Sequence, residues 1–289
     1  MQEANPFAKE ETLNIIETRP RKARIPATVR AVCIRPDPKD WTAKPRLDDI
    51  DAVMARLPPD SVELIDMHYN CRLPRLPCLK RQSQIRYAHL GAHNLRDYSP
   101  LFTLPRLEGL FLVSVPLTSL SAFQNRPLKY VRLIRGRVRH VDVSAPFVFL
   151  QNCTQLTTFG NVSIAHLILE SCRRVDLASL AMVRGLRQLH LLAPGPLPSA
   201  APLLGCKALE SLVITATLLG KTDLRGLGTM PSLKWVFLGV ADARVAELAE
   251  AVPRVMVTNG DVCLRGTRRL PPTQYYQEVE VAKVSLAGA

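Results

Sequence analysis

Residues Leu107 to Leu128 read LEGLFLVSVPLTSLSAFQNRPL, with apolar side chains at Leu107, Leu110, Leu112, Val115, Leu117 and Leu120 before the pattern restarts at Leu128. The opening L-x-x-L-x-L decides the fold. In an extended chain it sends Leu110 and Leu112 to one side of a short strand and Gly109, Phe111 and Val113 to the other. One such unit cannot bury its own apolar side, so copies of it must stack.

Copies are present. The frame restarts at Val62, Ile85, Leu107, Leu128, Ala145, Ile164, Leu186, Leu209, Leu233 and Val252. VELIDMHYN ends on Asn70, APFVFLQNC on Cys153 and SIAHLILESC on Cys172. An inward-turned side chain at that ninth position can satisfy backbone groups at the bend after the strand, so Cys153 and Cys172 read as buried structural residues. The connecting segments DYSPLFTLPRL, VDLASLAMVRGL, PSAAPLLGCKAL and TDLRGLGTMPSL carry spaced Leu with prolines, which suits one helical turn or a 3-10 piece. The frames at Ala145 and Ile164 are the most compressed and predict a bare loop on the outer side.

The sequence divides into residues 1–61, 62–258 and 259–289. In the first, Met1 to Ala27 is polar, carries Pro6, Pro20 and Pro26, and reads as a loosely held leader. Val29 to Ile34 reads as the strand that opens the sheet. Pro45 to Leu57 sets Leu47, Ile50, Val53, Met54 and Leu57 on one helical face, a capping helix. The middle segment is the repeat array. In the last, Asn259-Gly260-Asp261 marks a turn, Arg265, Arg268 and Arg269 form a basic cluster, and TQYYQEVEVAKVSL alternates like a strand or tail that caps the core.

Composition narrows the function. The 289 residues are 47% hydrophobic, enough for a core, and no apolar run reaches the ~18 residues of a membrane span. The N-terminus carries acids where a signal peptide has its apolar stretch, so the reading is cytoplasmic. Seven cysteines without a C-x-x-C pair suit reduced thiols. A net charge of +13 attracts polyanions, yet the basic residues of Arg19–Arg35, Arg72–Arg86 and Arg126–Arg139 fall largely between strands and read as a solvated face. No phosphate loop, G-x-S-x-G or H-E-x-x-H is present, which points away from an enzyme and from a cofactor.

The frame also predicts an outward face from its third, fifth and seventh positions. Tyr87, Tyr130, Phe147, His166 and Trp235 fall at the third, His89, Phe111, Arg132, Phe149, His190 and Phe237 at the fifth. The last frame puts Arg254, Met256 and Thr258 at these three positions. Aromatic rings with an occasional arginine are the usual makings of an interface, so these eleven residues are the expected partner-binding set. Two readings compete: a protein-binding surface, or rings covered by the termini and by neighbouring strands. Asp66 should lie directly across from His89, roughly 5 Å away. Neither Asp66, His68 and His89 nor His166, Glu170 and His190 converges as a metal centre requires. Both groups read as contact residues that make binding sensitive to pH near ~6 to 7.

From Val62 to Val257 the chain resembles leucine-rich repeat proteins, most closely the bacterial internalin-like class, on frames such as LEGLFLVSV, SIAHLILESC and LESLVITAT. The resemblance implies an α/β solenoid with a parallel sheet on the concave face and short helical, 3-10 or loop segments on the convex face. It also implies a non-catalytic module that binds another protein, and the net charge of +13 favours an acidic one. The leading expectation is an inhibitor or immunity protein that neutralises a toxin. An effector or adaptor recruiting a host protein and an RNA-binding protein using arginine and aromatic residues are the alternatives.

Overall fold

The computed structural model describes residues 9–16, 19–40, 42, 44–67, 72–91, 95–215 and 222–270. The chain forms two compact units. The first comprises Met1–Thr118 and Ala122–Arg137, the second Ser119–Ser121 and Val138–Ala289.

In the first unit the strands are β1 (Thr12–Ile16), β2 (Ala31–Arg35), β3 (Leu64–Met67), β4 (Tyr87–Leu90), β5 (Gly109–Val113) and β6 (Tyr130–Ile134). Each pairs in parallel with the next along the chain. The register never slips: Cys33, Asp66, His89, Phe111 and Arg132, all fifth positions, lie side by side. Fixed register follows from the burial of one face, since a slip of one residue would expose the whole apolar set. That set comprises Leu13, Ile15, Val32, Ile34, Ile65, Met67, Leu90, Leu110, Leu112, Val131 and Leu133, each at most 1% exposed. Burial of each such side chain is worth about 1.5–3 kcal/mol against leaving it in water.

Two short helices serve this unit. Helix α1 (Leu47–Ala55) forms where the apolar spacing predicts it and buries Ile50, Val53 and Met54, with Asp48 and Asp49 at its positive end. Helix α2 (Ser99–Phe102) is a single turn that begins on Pro100 at its second residue. The N-terminal reading needs correction: β1, not the Val29–Ile34 strand, is the first strand of the sheet. Leu13 and Ile15 alternate with Thr12 and Asn14, and five residues suffice because β2 supplies a complete template of backbone partners.

The second unit contains β7 (His140–Val141), β8 (Phe147–Gln151), β9 (Thr158–Phe159), β10 (His166–Glu170), β11 (Gln188–Leu192), β12 (Ser211–Thr215), β13 (Trp235–Leu238), helix α3 (Asp242–Ala251), β14 (Met256–Thr258), β15 (Cys263–Arg265) and β16 (Arg268–Arg269). β8, β10, β11, β12, β13 and β14 are parallel neighbours in that order. β14, β15 and β16 then continue antiparallel.

Two expectations change here. The outer side of the compressed repeats is not bare, because β7 and β9 pair there as a second small sheet and bury Val141 and Phe159. So few residues separate β8 from its neighbours that only extended chain spans the gap, and two extended segments side by side satisfy each other's backbone. The last repeat pairs two residues further along than its frame predicts: Met256 faces Trp235 and Thr258 faces Phe237. The ten residues of α3 use up the connection, with Val252 as its C-cap and Pro253 barring continuation. After β14 the parallel repeats end, as the turn at Asn259-Gly260-Asp261 suggests, and β15 and β16 follow as an antiparallel hairpin. The alternating segment TQYYQEVEVAKVSL lies outside the described residues.

A further regularity sits just after the strands. Ser114, Arg135, Asn152, Ser171 and Ala193 all have φ between 47° and 55°, the left-handed region. Each follows the last residue of β5, β6, β8, β10 or β11, the eighth position of its repeat. There the backbone N–H of Ser114, Asn152, Ser171 and Ala193 donates to the carbonyl of Ile134, Glu170, Leu192 and Thr215 on the following strand, at 2.7–2.8 Å.

Candidate partner-binding face

The outward residues of the first unit form a continuous row. His89 Nδ1 lies 3.2 Å from Asp66 Oδ1, the His89 ring stacks on Phe111 at 4.1 Å and 17°, and the Arg132 guanidinium lies 4.7 Å from the Phe111 centroid. Parallel strands ~4.8 Å apart make this possible, because fifth positions on adjacent strands are at stacking distance. The Asp66–His89 neighbourhood agrees with the expected spacing. His68 and Asn70 lie outside the described residues.

Tyr87 flanks the row at the third position. Its ring lies over Gly109, where a Cβ would stand 2.6 Å from Tyr87 Cδ1, so the glycine makes room for the tyrosine. Tyr87 is 36% exposed, with the Arg86 guanidinium 5.4 Å from its ring centroid. Tyr130 is half-buried beside Gly109 on the other flank. At the N-terminal end of the row, burial and the neighbouring Asp66 push the Cys33 thiol up to about 11.

The second unit arranges its share differently. Phe147 and Trp235 are only 7% and 8% exposed. Trp235 packs with Met256 and Cys263, against which Val213, Phe237 and Leu270 also lie. Here the rings cover one another, and Phe149, His166, His190 and Phe237 remain half-buried. His190 sits between Ile168 and Val213, and burial, reinforced by His166, lowers it to about 4. Burial and then Arg187 lower His166 as well. Both imidazoles are therefore neutral at pH 7. Gln151 Nε2 donates to Glu170 Oε1 at 2.8 Å one row further along. Among the described residues no group of three His, Cys, Asp or Glu side chains is placed to hold a metal ion.

The basic residues beside the strands are organised in a way the sequence reading missed. Second-position residues alternate in sign: Glu11, Arg30, Glu63, Arg86, Glu108 and Lys129 in the first unit, Arg187, Glu210 and Lys234 in the second. Arg30 pairs with Glu63 at 2.7 Å, Arg86 with Glu108 at 2.8 Å and Lys129 with Glu108 at 3.0 Å. Lys234 pairs with Glu210 at 2.5 Å. The hydrogen bond from Arg86, helped by Lys129, holds Glu108 below the usual carboxylate range, and Lys234 does the same for Glu210. The signal was legible as opposite charges one repeat apart.

Cys153 and Cys172 are 0% and 4% exposed. The Cys172 thiol reaches the carbonyl oxygens of Leu150 and Glu170 at 3.4 and 3.5 Å, and that of Cys153 reaches Gln151 O at 3.6 Å. They occupy the bend as the ninth position demands. Hydrogen bonding to Cys153 lowers the Cys172 thiol.

No protein-family model matches the chain, and no curated protein does. Among solved structures, an internalin from Listeria monocytogenes is similar at 16% identity and a TM-score of 0.39, over 65% of this chain and 64% of its own. Internalin C2 from the same organism shows 16% identity and a TM-score of 0.31, over 55% and 63%. A leucine-rich repeat protein from Leptospira interrogans shows 11% identity and a TM-score of 0.34, over 80% and 77%. The chain thus spans a little under two thirds of the length of the two internalin chains. The unslipped parallel register, the buried L-x-x-L-x-L frame and the inward-turned thiols identify the fold, by its own geometry, as an α/β leucine-rich repeat solenoid.

Proposed function

We propose that the protein is an interaction module whose outward strand face binds a partner protein. The observation that carries this reading is the row Asp66–His89–Phe111–Arg132, flanked by Tyr87. Stacking and the Asp66–His89 contact hold these side chains in one arrangement before any partner arrives, so binding loses little side-chain entropy. Rigid rings beside an arginine are the composition of interface hot spots. Arg132 and the net charge of +13 favour an acidic partner. Occlusion of a target, as an inhibitor or immunity protein works, needs nothing beyond such a face. The buried thiols of Cys33, Cys172 and Cys206 suit a reducing compartment.

The test is a pull-down from nuclease-treated source-cell lysate with the wild-type chain beside a Phe111→Ala, Arg132→Gln double variant of confirmed fold. Ala193→Gly serves as a control away from the row. A protein retained by the wild type and the control but lost by the double variant is the expected result. Equal retention by all three, or recovery of nucleic acid alone from untreated lysate, would refute it.

A further inference from the structure

The hairpin β15–β16 concentrates positive charge. Arg187, Arg225, Lys234 and Arg244 each lie within 4.0 Å of an acidic side chain. Arg265, Arg268 and Arg269 are exposed, and among the described residues no acid pairs with them. Arg254, next to Pro253, is exposed as well, and a Cβ on Gly266 would stand 3.5 Å from Pro253 Cβ. Moreover, Arg265 and Arg268 are directly opposed across the hairpin. Like charges facing each other across a ladder, with Cα atoms about 5.5 Å apart, repel. An anion placed between them would relieve that repulsion.

The backbone adds a second, independent feature. Among the described residues β16 is the last strand of its sheet. Leu270 N–H donates to Cys263 O at 2.9 Å, so Cys263 and Leu270 form a hydrogen-bonded pair and Arg265 and Arg268, two residues along, form the next. Arg269, between them, turns its N–H and C=O away from β15, toward the side where no described strand lies. Gly266 at φ 59° begins the two-residue turn and keeps the hairpin tight.

We propose that the outer edge of β16 docks an extended acidic segment of a partner protein, which adds as a strand beside Arg269 and sets its carboxylates against Arg265 and Arg268. Main-chain pairing supplies the affinity and alternate side chains the specificity, as in strand addition generally. Met256 and Trp235 lie in register with Arg265, so the carboxylate-binding side belongs to the outward face of this unit. The site is independent of the Phe111 row and stands or falls separately.

The competing explanation is that the arginines merely guard an open edge against unwanted pairing. The experiment uses the full chain and a fluorescent nine-residue peptide with glutamate at alternate positions, titrated at about 50 mM salt. Arg268→Ser is expected to weaken binding about tenfold. Arg269→Ser removes a charge, whereas Arg269→Pro also removes the outward N–H without touching the bonds to β15. Arg269→Pro should therefore bind at least about fivefold more weakly than Arg269→Ser. Equal affinities for these two variants would overturn strand addition. So would no binding by the wild type, or tight binding only of a single-stranded oligonucleotide offered in its place. Glu278→Gln with Glu280→Gln should leave peptide affinity within about twofold. A tenfold gain would show that the chain's own C-terminal residues occupy the edge and would overturn a partner-docking role.

Discussion

The sharpest test of the second unit is the pH dependence of its stability. His190 lies between Ile168 and Val213, and burial brings its titration down to about 4 in the folded chain, against 6.5 for an unperturbed histidine. The unfolded chain therefore binds more protons between pH 4 and 6.5, and stability rises with pH across that window and levels off above it. A depression of about 2.5 units, at 1.36 kcal/mol per unit, sets a ceiling of roughly 3 kcal/mol. At pH 5 the contribution is about 2 kcal/mol below its value at pH 8. His190→Leu removes the titrating group and places an aliphatic side chain between two others. The assay is urea unfolding at pH 5 and pH 7.5, followed by tryptophan fluorescence. A Trp41→Phe background leaves Trp235, in the same unit as His190, as the sole reporter. Carboxylates titrate alike in both proteins, so the difference between them isolates the histidine. His166 opposes protonation of its neighbour. If the variant loses as much stability as its parent between the two pH values, the buried-imidazole argument is wrong.

Other perturbations probe the remaining parts. Ala193→Gly should stabilise by about 0.5–1 kcal/mol, since φ 47° strains an alanine and suits a glycine, read as a higher urea midpoint at unchanged slope. Phe111→Ala removes one ring stack and one cation over a ring and should cost about 1–2 kcal/mol. A loss under about 0.5 kcal/mol in chemical denaturation would mean that the row is not preassembled. Glu108→Ala should cost less than about 1 kcal/mol, and the cost should shrink in high salt, because its partners Arg86 and Lys129 are largely solvated.

The buried frame was legible because apolar spacing and parallel register are two views of one constraint. Once Leu110 and Leu112 must face the core, Phe111 must face out, and Arg132 must lie beside it. Segments whose structure depends on a neighbour were less legible. β1 lies ahead of the repeat frame that starts at Val62, and it forms because β2 offers its backbone. β7 and β9 pair only when the repeats that carry them are already stacked. Exposure of the candidate site was only partly readable: Tyr87 is open because Gly109 lies next to it, whereas Trp235 is covered by residues of β14 and β15, whose hairpin no periodicity marks. The lowered histidines likewise reflect cross-strand neighbours.

The alternating charges beside the strands settle a question of assembly. Were the chain to loop out a single repeat while folding, β3 would meet β5 and Glu63 would face Glu108. Skipping the next would bring Arg86 against Lys129. Each omission converts two attractions into one repulsion, while the apolar frame, nearly the same in every repeat, would accept the wrong neighbour without complaint. The second unit has the same arithmetic, with Arg187 and Lys234 flanking Glu210. Sign thus acts as a parity check on repeat order: individually weak pairs at the margin of the sheet tell odd repeats from even ones, which leucines cannot do.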